Sequence, residues 1–480
     1  MRPVALLHLL SALVGALLAA ACLFATVAAV DIPVTTPTDL IDLNGDCSLR
    51  EAIEAANTDT VVDACPAGSG ADVILIPTGT ITLSISPVLT NSNATGDLDL
   101  FTEMTLQGVD ARTTVIDGAG LDRILHISTT ASVTVADLTL TNGHAPDGIP
   151  YNEYENPPGS GGHGGAVLNE GTLWMQRVTV RASRAGNGGR MGGSAPPWPP
   201  ASAGKGGGIY NRGVLNIVQS AVIGNRAGFS GEVHAPHFVQ AASGGDGGGV
   251  YNTGTLAIHT STIADNRAPD GESVSNLFYY NVVPGDGGSG GGIAGEGSVT
   301  LDNVTVIANT AGYGGIGTNG IYTRTGESGV GGGIHYSATV GLAVHNTVLA
   351  GNRAASTASD CAGNLESLGF NLIQAADGCT ISGSVSSNIY GVDSQLGPLG
   401  VYRGPTPVYF APYTGPAVDR GDCVDSNGVT VIIDQEGTAR PQLGGCDIGA
   451  SEAYAPDHLQ LLPYVSEGVT GRQSAVENAR

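Results

Sequence analysis

The sequence predicts an all-β protein folded as a parallel β-helix, and three features of its repeats indicate this fold. A Gly-Gly-small-aliphatic block starts at residues 164, 206, 247, 290 and 331, so successive blocks lie 41 to 43 residues apart. Short runs of alternating apolar residues follow the blocks, which is the pattern of β-strands. An asparagine closes four of the units, at Asn225, Asn266, Asn309 and Asn352. One unit cannot bury its own apolar face, whereas stacked units bury a continuous core.

One coil per repeat period makes a specific prediction of register. The aliphatic residues Ile209, Val250, Ile293 and Ile334 should lie above one another inside one sheet. The closing asparagines either form a hydrogen-bonded ladder between coils or simply tolerate a turn. A β-propeller or a β-sandwich fits less well, because the strands are too short and the glycine blocks do not resemble hairpin turns.

The first 68 residues divide into two parts. Residues 1–29 are typical of a secretory signal, since a basic residue precedes a largely apolar run that ends in small residues. An uncleaved anchor helix is the alternative, because the run is long enough to span a bilayer, and no later segment is. Residues 30–68 are predicted to form a cap. Leu49, Ile53 and Ala56 share one helical face behind the N-cap candidate Ser48, so a short helix should cover the open first coil.

We assign residues 69–355 to the β-helix, with long loops inserted between its repeats. Five insertions of 19 to 22 residues span 144–162, 185–205, 227–246, 268–289 and 311–330, and they hold 10 of the chain's 24 aromatic residues. Loops that leave the same corner of successive coils must line one edge of the solenoid. These aromatic residues either bind a ligand or pin the loops onto the coils. The predicted ligand-binding residues are Tyr151, Tyr154, Trp198, Phe278, Tyr279, Tyr280, Tyr313 and Tyr322.

Six cysteines lie outside the predicted signal, and an even number in an exported chain indicates disulfides. Proximity in the sequence predicts the pairs Cys47–Cys65, Cys361–Cys379 and Cys423–Cys446. Each pair should staple a terminal region, because the coils already gain order from stacking. We assign residues 356–453 to a disulfide-stapled C-terminal domain and residues 454–480 to a tail.

Several motifs resemble those of bacterial surface proteins. Residues 47–52 read CSLREA, the motif after which the CSLREA-domain family is named, and residues 96–100 and 114–127 resemble the first β-helix coils of that family. The glycine repeats are similar to polymorphic outer-membrane protein repeats. Residues 404–423 and 437–452 resemble a choice-of-anchor type of C-terminal domain. The resemblance implies an exported, bacterial, right-handed β-helix protein that is secreted or held at the cell surface, including the outer membrane. It implies no known reaction.

The charge of the chain restricts its partners. Lys and Arg number 19 against 43 Asp and Glu, for a net charge of −24, which excludes nucleic-acid binding because that function needs a basic face. The five loops carry more acids than bases. A neutral or calcium-bridged glycan is therefore favoured over an anionic one. Sugar faces stack on aromatic rings while nearby carboxylates accept hydrogen bonds from sugar hydroxyls.

No catalytic residue, cofactor site or metal site is assigned from the sequence. A glycosidase needs two carboxylates that face one sugar bond, and the repeat strands carry few acids. A lyase needs a basic residue, and the only lysine is Lys205, in a glycine-rich loop. Asp97 and Asp99 alternate along one strand, which suits either cation ligation or a solvated face. Residues 42–46 resemble the start of a calcium loop, but Ile53 stands where that loop would have Glu.

Arginines also recur with the repeat. Arg226, Arg267 and Arg353 share one repeat offset and should stack in a column. Such a column would bind an anionic glycan or pair with loop acids such as Asp246 and Asp286, and we favour the pairing.

The favoured function is that of an exported, non-enzymatic β-helix protein: an adhesin or glycan-binding module that acts as a monomer on a carbohydrate or on another ligand of a host or environmental surface. The alternative is a polysaccharide lyase or glycoside hydrolase on the same fold, since fold alone does not separate the two. A cluster of acids with Arg or Lys on one strand face would favour the enzyme. We find no such cluster in the sequence.

Overall fold

The structure, a computed structural model, describes residues 29–88, 93–150, 157–192, 201–234, 239–275, 282–319, 321–336, 341–355 and 357–453. These residues form the predicted parallel β-helix, with three ladders of parallel strands and one described helix. The predicted signal lies outside the described residues except for its last residue. No described helix has the length and apolar character needed to cross a bilayer.

Each complete coil supplies one strand to each ladder in turn. Ladder 1 contains Leu98–Leu100, Leu125–Ile127, Val167–Asn169, Ile209–Asn211, Val250–Asn252, Ile293–Gly295, Ile334–Tyr336 and the first part of Cys361–Gly369. Ladder 2 contains Asp31–Pro33, Asp72–Leu75, Met104–Gln107, Ser132–Ala136, Thr172–Gln176, Val214–Val218, Thr255–His259, Ser298–Asp302, Leu342–His345, the last part of Cys361–Gly369, and Cys379–Gly383. Ladder 3 contains Gly79–Thr82, Thr114–Asp117, Thr139–Thr141, Thr179–Arg181, Ala221–Ile223, Thr262–Ala264, Thr305–Ile307, Val348–Ala350, Leu372–Ile373 and Ile389–Tyr390.

Short strands also form outside the ladders. In the inserted loops, Met191–Gly192 pairs with Val233–His234, Val239–Gln240 pairs with Val282–Val283, and Ile316–Thr318 pairs with both Val274–Ser275 and Thr323–Thr325. Two antiparallel pairs lie nearer the C-terminus, Arg353–Ala354 with Thr357–Ala358 and Leu399–Gly400 with Val408–Tyr409.

The core register confirms one coil per repeat period. Ile209 pairs with Val250, Val250 with Ile293, and Ile293 with Ile334, and all four side chains are fully buried. Each described loop insertion leaves the coil between ladder 3 and the next strand of ladder 1. The insertions therefore lengthen the chain without changing the register of the sheets.

The closing asparagines form the predicted ladder. Asn225 Nδ2 donates to Asn266 Oδ1, Asn266 to Asn309 and Asn309 to Asn352, each over 3.0 Å. The four side chains are buried, so every coil supplies an acceptor for the coil before it. A second row, Asn169, Asn211 and Asn252, is linked in the same way at 2.7 Å.

Glycine backbone stacks the loops into a layer beside the ladders. Gly186 N donates to Gly162 O, Gly204 N to Gly186 O and Gly228 N to Gly204 O, each over 2.9 Å. A Cβ atom on Gly228 would overlap the carbonyl oxygen of Gly186. Glycine is needed here because the loop backbones approach one another more closely than any side chain allows.

The predicted cap helix, α1, spans Leu49–Thr58 and begins at Ser48, whose side chain accepts a hydrogen bond from Glu51 N. Asn57 completes the open edge of ladder 1, because its amide donates to Asp99 O over 2.8 Å and accepts from Phe101 N over 2.9 Å. Arg50 is fully buried and forms an ion pair with Asp39 at 2.7 Å. The helix thus supplies the partners that a preceding strand would have supplied.

The three predicted disulfides are present, Cys47–Cys65, Cys361–Cys379 and Cys423–Cys446, with Cα–Cα distances of 5.0, 5.5 and 5.4 Å. One of them differs in its setting from the expectation. Cys361 and Cys379 lie in the strands Cys361–Gly369 and Cys379–Gly383, so this bridge joins two successive coils. The parallel sheets continue past residue 355, the predicted end of the β-helix, to Ile389–Tyr390. These last coils were not predicted because they are short and carry no glycine block.

Residues 391–453 fold back along the solenoid and cover the outer face of ladder 3. Apolar residues of the ladder, including Ile223 and Ile307, pack against Leu399 and Tyr409. Hydrogen bonds to four successive coils fix this segment. Gln219 Nε2 donates to Asp434 O over 2.9 Å, and Thr262 Oγ1 donates to Gln435 Oε1 over 2.7 Å. Ser426 Oγ donates to Asp302 Oδ2 over 2.7 Å, and Asn346 Nδ2 donates to Asp447 O over 3.0 Å. Residues 391–453 therefore pack directly against the coils of the β-helix.

Candidate functional site

The outer face of ladder 1 carries a row of polar and aromatic side chains. Leu98, Leu100 and their partners in the next strand face the core, so alternation places the middle residue of each strand outward. Asp99 pairs in register with His126 at the start of the row. The row continues through Leu168, Tyr210, Tyr251, Ala294 and His335.

The first part of the row is a buried cluster of acids with one histidine. His126 Nδ1 lies 2.7 Å from Asp99 Oδ1. Arg123 Nη1 lies 2.8 Å from Asp97 Oδ2. Asp99 is fully buried and Asp97 is only 7% exposed, so the solvated face that the sequence left open is excluded.

Burial sets the protonation of these groups. It raises the pKa of Asp97 against the opposing charge of Arg123. Burial, followed by the charge of Asp97, raises the pKa of Asp122 to about 6. Burial alone would lower the pKa of His126, but its hydrogen bonds to Asp99 and Glu170 outweigh burial and raise it.

Glu170 and Arg212 connect this cluster to the next coils. Glu170 Oε2 lies 3.3 Å from His126 Nε2, and Arg212 Nη1 donates to Glu170 Oε1 over 2.9 Å. These bonds outweigh burial and lower the pKa of Glu170. Arg212 also covers the ring of Tyr210, with its guanidinium carbon 5.2 Å from the ring centroid.

Three stacked rings form the middle of the row. The ring centroids of His163 and Tyr210 are 4.5 Å apart, and those of Tyr210 and Tyr251 are 5.4 Å apart. His163 Nδ1 accepts a hydrogen bond from Lys205 N over 3.0 Å. Burial, and then the charges of Arg212 and Lys205, lower the pKa of His163 to about 4, so this ring is neutral at pH 7.

Lys205 lies beside this row, next to Tyr251. Its Nζ lies 2.9 Å from Asp246 Oδ2 and donates to the Tyr251 hydroxyl over 3.1 Å. Burial alone would lower the pKa of Lys205, but the Asp246 carboxylate outweighs burial and raises it. We call the connected set the polar strip; it consists of Asp97, Asp99, Arg123, His126, His163, Glu170, Lys205, Tyr210, Arg212, Asp246 and Tyr251.

An open cleft of about 580 Å³ begins where the polar strip ends, among the stacked loops. We call it the loop cleft, and its polar lining includes Lys205, Asp246, Asp286, Ser289, Glu327 and Ser328. Asp246 accepts a hydrogen bond from Ser289 N over 2.9 Å, and Asp286 accepts one from Glu327 N over 2.7 Å. Carboxylates, hydroxyls and one ammonium group therefore share one concave surface.

Two of the eight aromatic residues predicted to bind ligand lie among the described residues. Tyr313 and Tyr322 are 48% and 65% exposed, and the loop that carries them also lines the loop cleft. Gly314 N, next to Tyr313, donates to Ser328 Oγ over 3.2 Å. Tyr151, Tyr154, Trp198, Phe278, Tyr279 and Tyr280 lie outside the described residues.

The predicted arginine column is present, with Thr310 between Arg267 and Arg353, and Arg267 pairs with a loop acid as predicted, although that acid is Asp270 and not Asp246. Parallel β-bridges between backbone groups link Arg226 to Arg267, Arg267 to Thr310 and Thr310 to Arg353. Arg267 forms an ion pair with Asp270 at 2.9 Å. Asp246 is taken by Lys205, because the two residues lie one repeat period apart and stack in adjacent coils.

The polar strip was not predicted from the sequence, although the repeat period contained a signal for part of it. Tyr210 and Tyr251 are 41 residues apart, as are Lys205 and Asp246. Side chains separated by one period lie side by side in a solenoid. The expectation that no strand face gathers acids with Arg or Lys is therefore corrected, since Asp97, Glu170 and Arg212 lie along one face.

Comparisons with known proteins add little. No protein-family model and no curated protein matches the chain. A solved structure titled "Crystal structure of pectate lyase Pel9A" is similar over 89% of this chain and 98% of its own, with 11% sequence identity and a TM-score of 0.30. The resemblance to the CSLREA-domain family therefore rests on the motifs alone.

Proposed function

We propose that this protein is an exported β-helix that binds a carbohydrate across the loop cleft and the adjoining end of the polar strip, without cleaving it. The observation that supports this proposal is the loop cleft itself, a concave surface in which Asp246, Asp286 and Lys205 lie among serine hydroxyls. Sugar hydroxyls both donate and accept hydrogen bonds, so they need such a mixed lining.

Exposed aromatic rings support a sugar ligand further. Tyr313 and Tyr322 are exposed to solvent and lie on the loop that also lines the loop cleft. The C–H faces of a sugar stack on such rings, while carboxylates accept from its hydroxyls. The cleft lining carries more carboxylates than cations, which favours a neutral glycan.

Four of the five basic side chains of the polar strip, all except His126, argue against catalysis. A lyase base must lose its proton, but Asp246 holds Lys205 in its charged form by raising its pKa. Arg123 and Arg212 are each paired with a carboxylate. His163 is neutral, but with a pKa lowered to about 4 it is a weak base. The ion pairs stabilise the surface of the polar strip. None of these four side chains is poised for proton transfer.

The second candidate is a polysaccharide lyase or glycoside hydrolase, and one observation favours it. Asp97, Asp99, Glu170 and Arg212 bring acids and an arginine to one strand face, the feature that distinguishes an enzyme from a binding module on this fold. A glycosidase in particular needs two carboxylates on either side of a sugar bond.

Three disulfides support action outside the cell, because such bonds persist in oxidising compartments. Together with the predicted signal and the motif resemblance, they favour a secreted or surface-held adhesin of the CSLREA-domain type. We further propose that the protein acts as a monomer.

A glycan array run beside assays for reducing ends and for unsaturated products tests the proposal. The full chain should bind a neutral glycan and release no product. Lys205→Gln and the double change Tyr313→Ala with Tyr322→Ala should each weaken binding at least tenfold. Arg112→Ala is the matched control, since Arg112 forms an exposed ion pair with Asp110 outside the polar strip and the loop cleft.

Two outcomes would overturn the proposal. Absence of binding to any glycan removes it altogether. If the unmodified chain releases product and Glu170→Gln does not, the enzyme hypothesis replaces the binding hypothesis, because Glu170 then takes part in the reaction.

A further inference from the structure

We propose that Asp97, Asp99 and His126 form a binding site for a divalent transition-metal ion such as Zn²⁺ or Mn²⁺. Each residue offers one ligand atom, and these atoms lie within 4.8 Å of one another. This inference is independent of the proposed carbohydrate binding, because the cluster lies at the opposite end of the polar strip from the loop cleft.

The fold brings the ligands together through register. Asp99 and His126 occupy opposing positions on adjacent strands of ladder 1, and both side chains face outward while their neighbours fill the core. Asp97 stands two residues before Asp99, on the same side of the chain. Since these positions are fixed by backbone pairing, the ligand set is preorganised rather than assembled by a mobile loop.

One buried oxygen has no partner. Asp99 is fully buried, and among the described residues its Oδ2 finds no hydrogen-bond donor. A buried carboxylate oxygen without a donor costs free energy, which a bound cation would remove. In the part of the chain that the structure describes, Arg123 donates to Oδ2 of Asp97, and the other oxygen of that carboxylate remains for an ion.

The local charge favours a cation. Three carboxylates, those of Asp97, Asp99 and Asp122, are more than nine-tenths buried within this region. Arg123 is the single permanent positive charge that pairs with them among the described residues. A divalent ion would neutralise the excess negative charge that burial makes expensive.

The surroundings of His126 match those of a metal-bound imidazole. Such a ligand donates its other ring N–H to a carboxylate, which orients the ring. His126 Nε2 faces Glu170 Oε2 at 3.3 Å, and Arg212 holds Glu170 in place. Nδ1, which lies on the Asp99 side, is then the ligand atom. An imidazole in the set favours Zn²⁺ or Mn²⁺ over calcium, which takes oxygen ligands.

Calorimetric titration of the tag-free full chain, stripped with EDTA and dialysed, tests the site with ZnCl₂, MnCl₂ and CaCl₂. We expect one Zn²⁺ or Mn²⁺ ion per chain and a rise in melting temperature when it binds. Asp99→Asn and His126→Gln should abolish saturation. Glu170→Gln, which keeps all three ligands, should weaken binding roughly 10- to 100-fold.

His345→Gln is the matched control. His345 also lies beside a buried aspartate, Asp302, but Ser426 donates to both oxygens of that carboxylate through its N and Oγ atoms. This change should leave metal binding unaltered. Circular dichroism in EDTA checks that each variant is folded, and the titration of the unmodified chain stands even if a variant is not.

Three results would overturn the inference: no saturable binding of Zn²⁺ or Mn²⁺ by the unmodified chain, unchanged binding in folded Asp99→Asn, or binding of Ca²⁺ alone. The last result would show that the imidazole is not a ligand.

Discussion

Arg50 shows how one side chain can replace an absent coil. Its guanidinium donates to the carbonyl oxygens of Asn93, Gly96 and Asp97, and it is neutralised by Asp39. Asp39 in turn accepts from Ser84 N over 2.7 Å. The pair therefore joins α1 to the first coils through groups that water cannot reach.

We expect Arg50→Met to lower the free energy of unfolding by about 3–5 kcal/mol, because the change leaves the Asp39 carboxylate buried and unpaired. Urea unfolding measures the loss. Arg112→Met is the control: Arg112 pairs with Asp110 at 2.6 Å, but the pair is exposed, so its loss should cost at most about 1 kcal/mol. Equal losses in the two variants would show that burial does not set the strength of the Arg50 pair.

Glu452 gives the folded protein a predictable response to pH. Burial, reinforced by the charge of Asp447 and opposed by Arg440, raises the pKa of Glu452 from 4.5 to about 7. Between these two values the folded chain keeps a proton that the unfolded chain has lost. Rising pH therefore weakens the folded state over this range.

The prediction is tested by measuring the unfolding free energy of the unmodified chain and of Glu452→Gln from pH 4.5 to pH 7. Because glutamine does not titrate, the unmodified chain should lose stability relative to the variant as pH rises. Parallel curves would mean that Glu452 has the same pKa in both states.

At the scale of elements, the glycine layer explains how the described parts of the inserted loops pack beside the sheets. Gly228→Ala should destabilise the fold by about 1–3 kcal/mol, since the new methyl group has no room beside Gly186 O. Gly341→Ala is the matched control, because a Cβ atom there meets nothing within 4 Å. Thermal unfolding distinguishes the two. A Gly228→Ala variant as stable as the control would mean that the layer adjusts at little cost.

The ladders could be predicted from the sequence, whereas the acidic end of the polar strip could not. Ile209 and Val250 revealed their register because identical glycine blocks precede them. Asp99 and His126 are only 27 residues apart, since their coils carry no long insertion and no glycine block. Without a repeated marker, nothing in the sequence fixes that pairing. Helix α1, which packs against the strand Leu98–Leu100 next to this cluster, shows none of the repeat pattern.

At the scale of the whole molecule, residues 391–453 protect an apolar surface. Ile223, Ala264 and Ile307 lie on the outer face of ladder 3 and are buried beneath this segment. A chain that ends at Val392 should expose them, bind more of a hydrophobic dye and aggregate more readily. A chain that ends at Ala453 retains the segment and serves as the control. If both chains bind equal amounts of dye, the segment is not what covers ladder 3.

The contacts of the same segment, residues 391–453, depend on the number of coils in the solenoid. The segment touches Gln219, Thr262, Asp302 and Asn346, one position in each of four successive coils, at the fixed spacing of the strands. Removing or duplicating a repeat among these coils would shift every later contact by a full step. We therefore expect that gain or loss of a repeat destabilises the fold less on the N-terminal side of Gln219 than among these four coils.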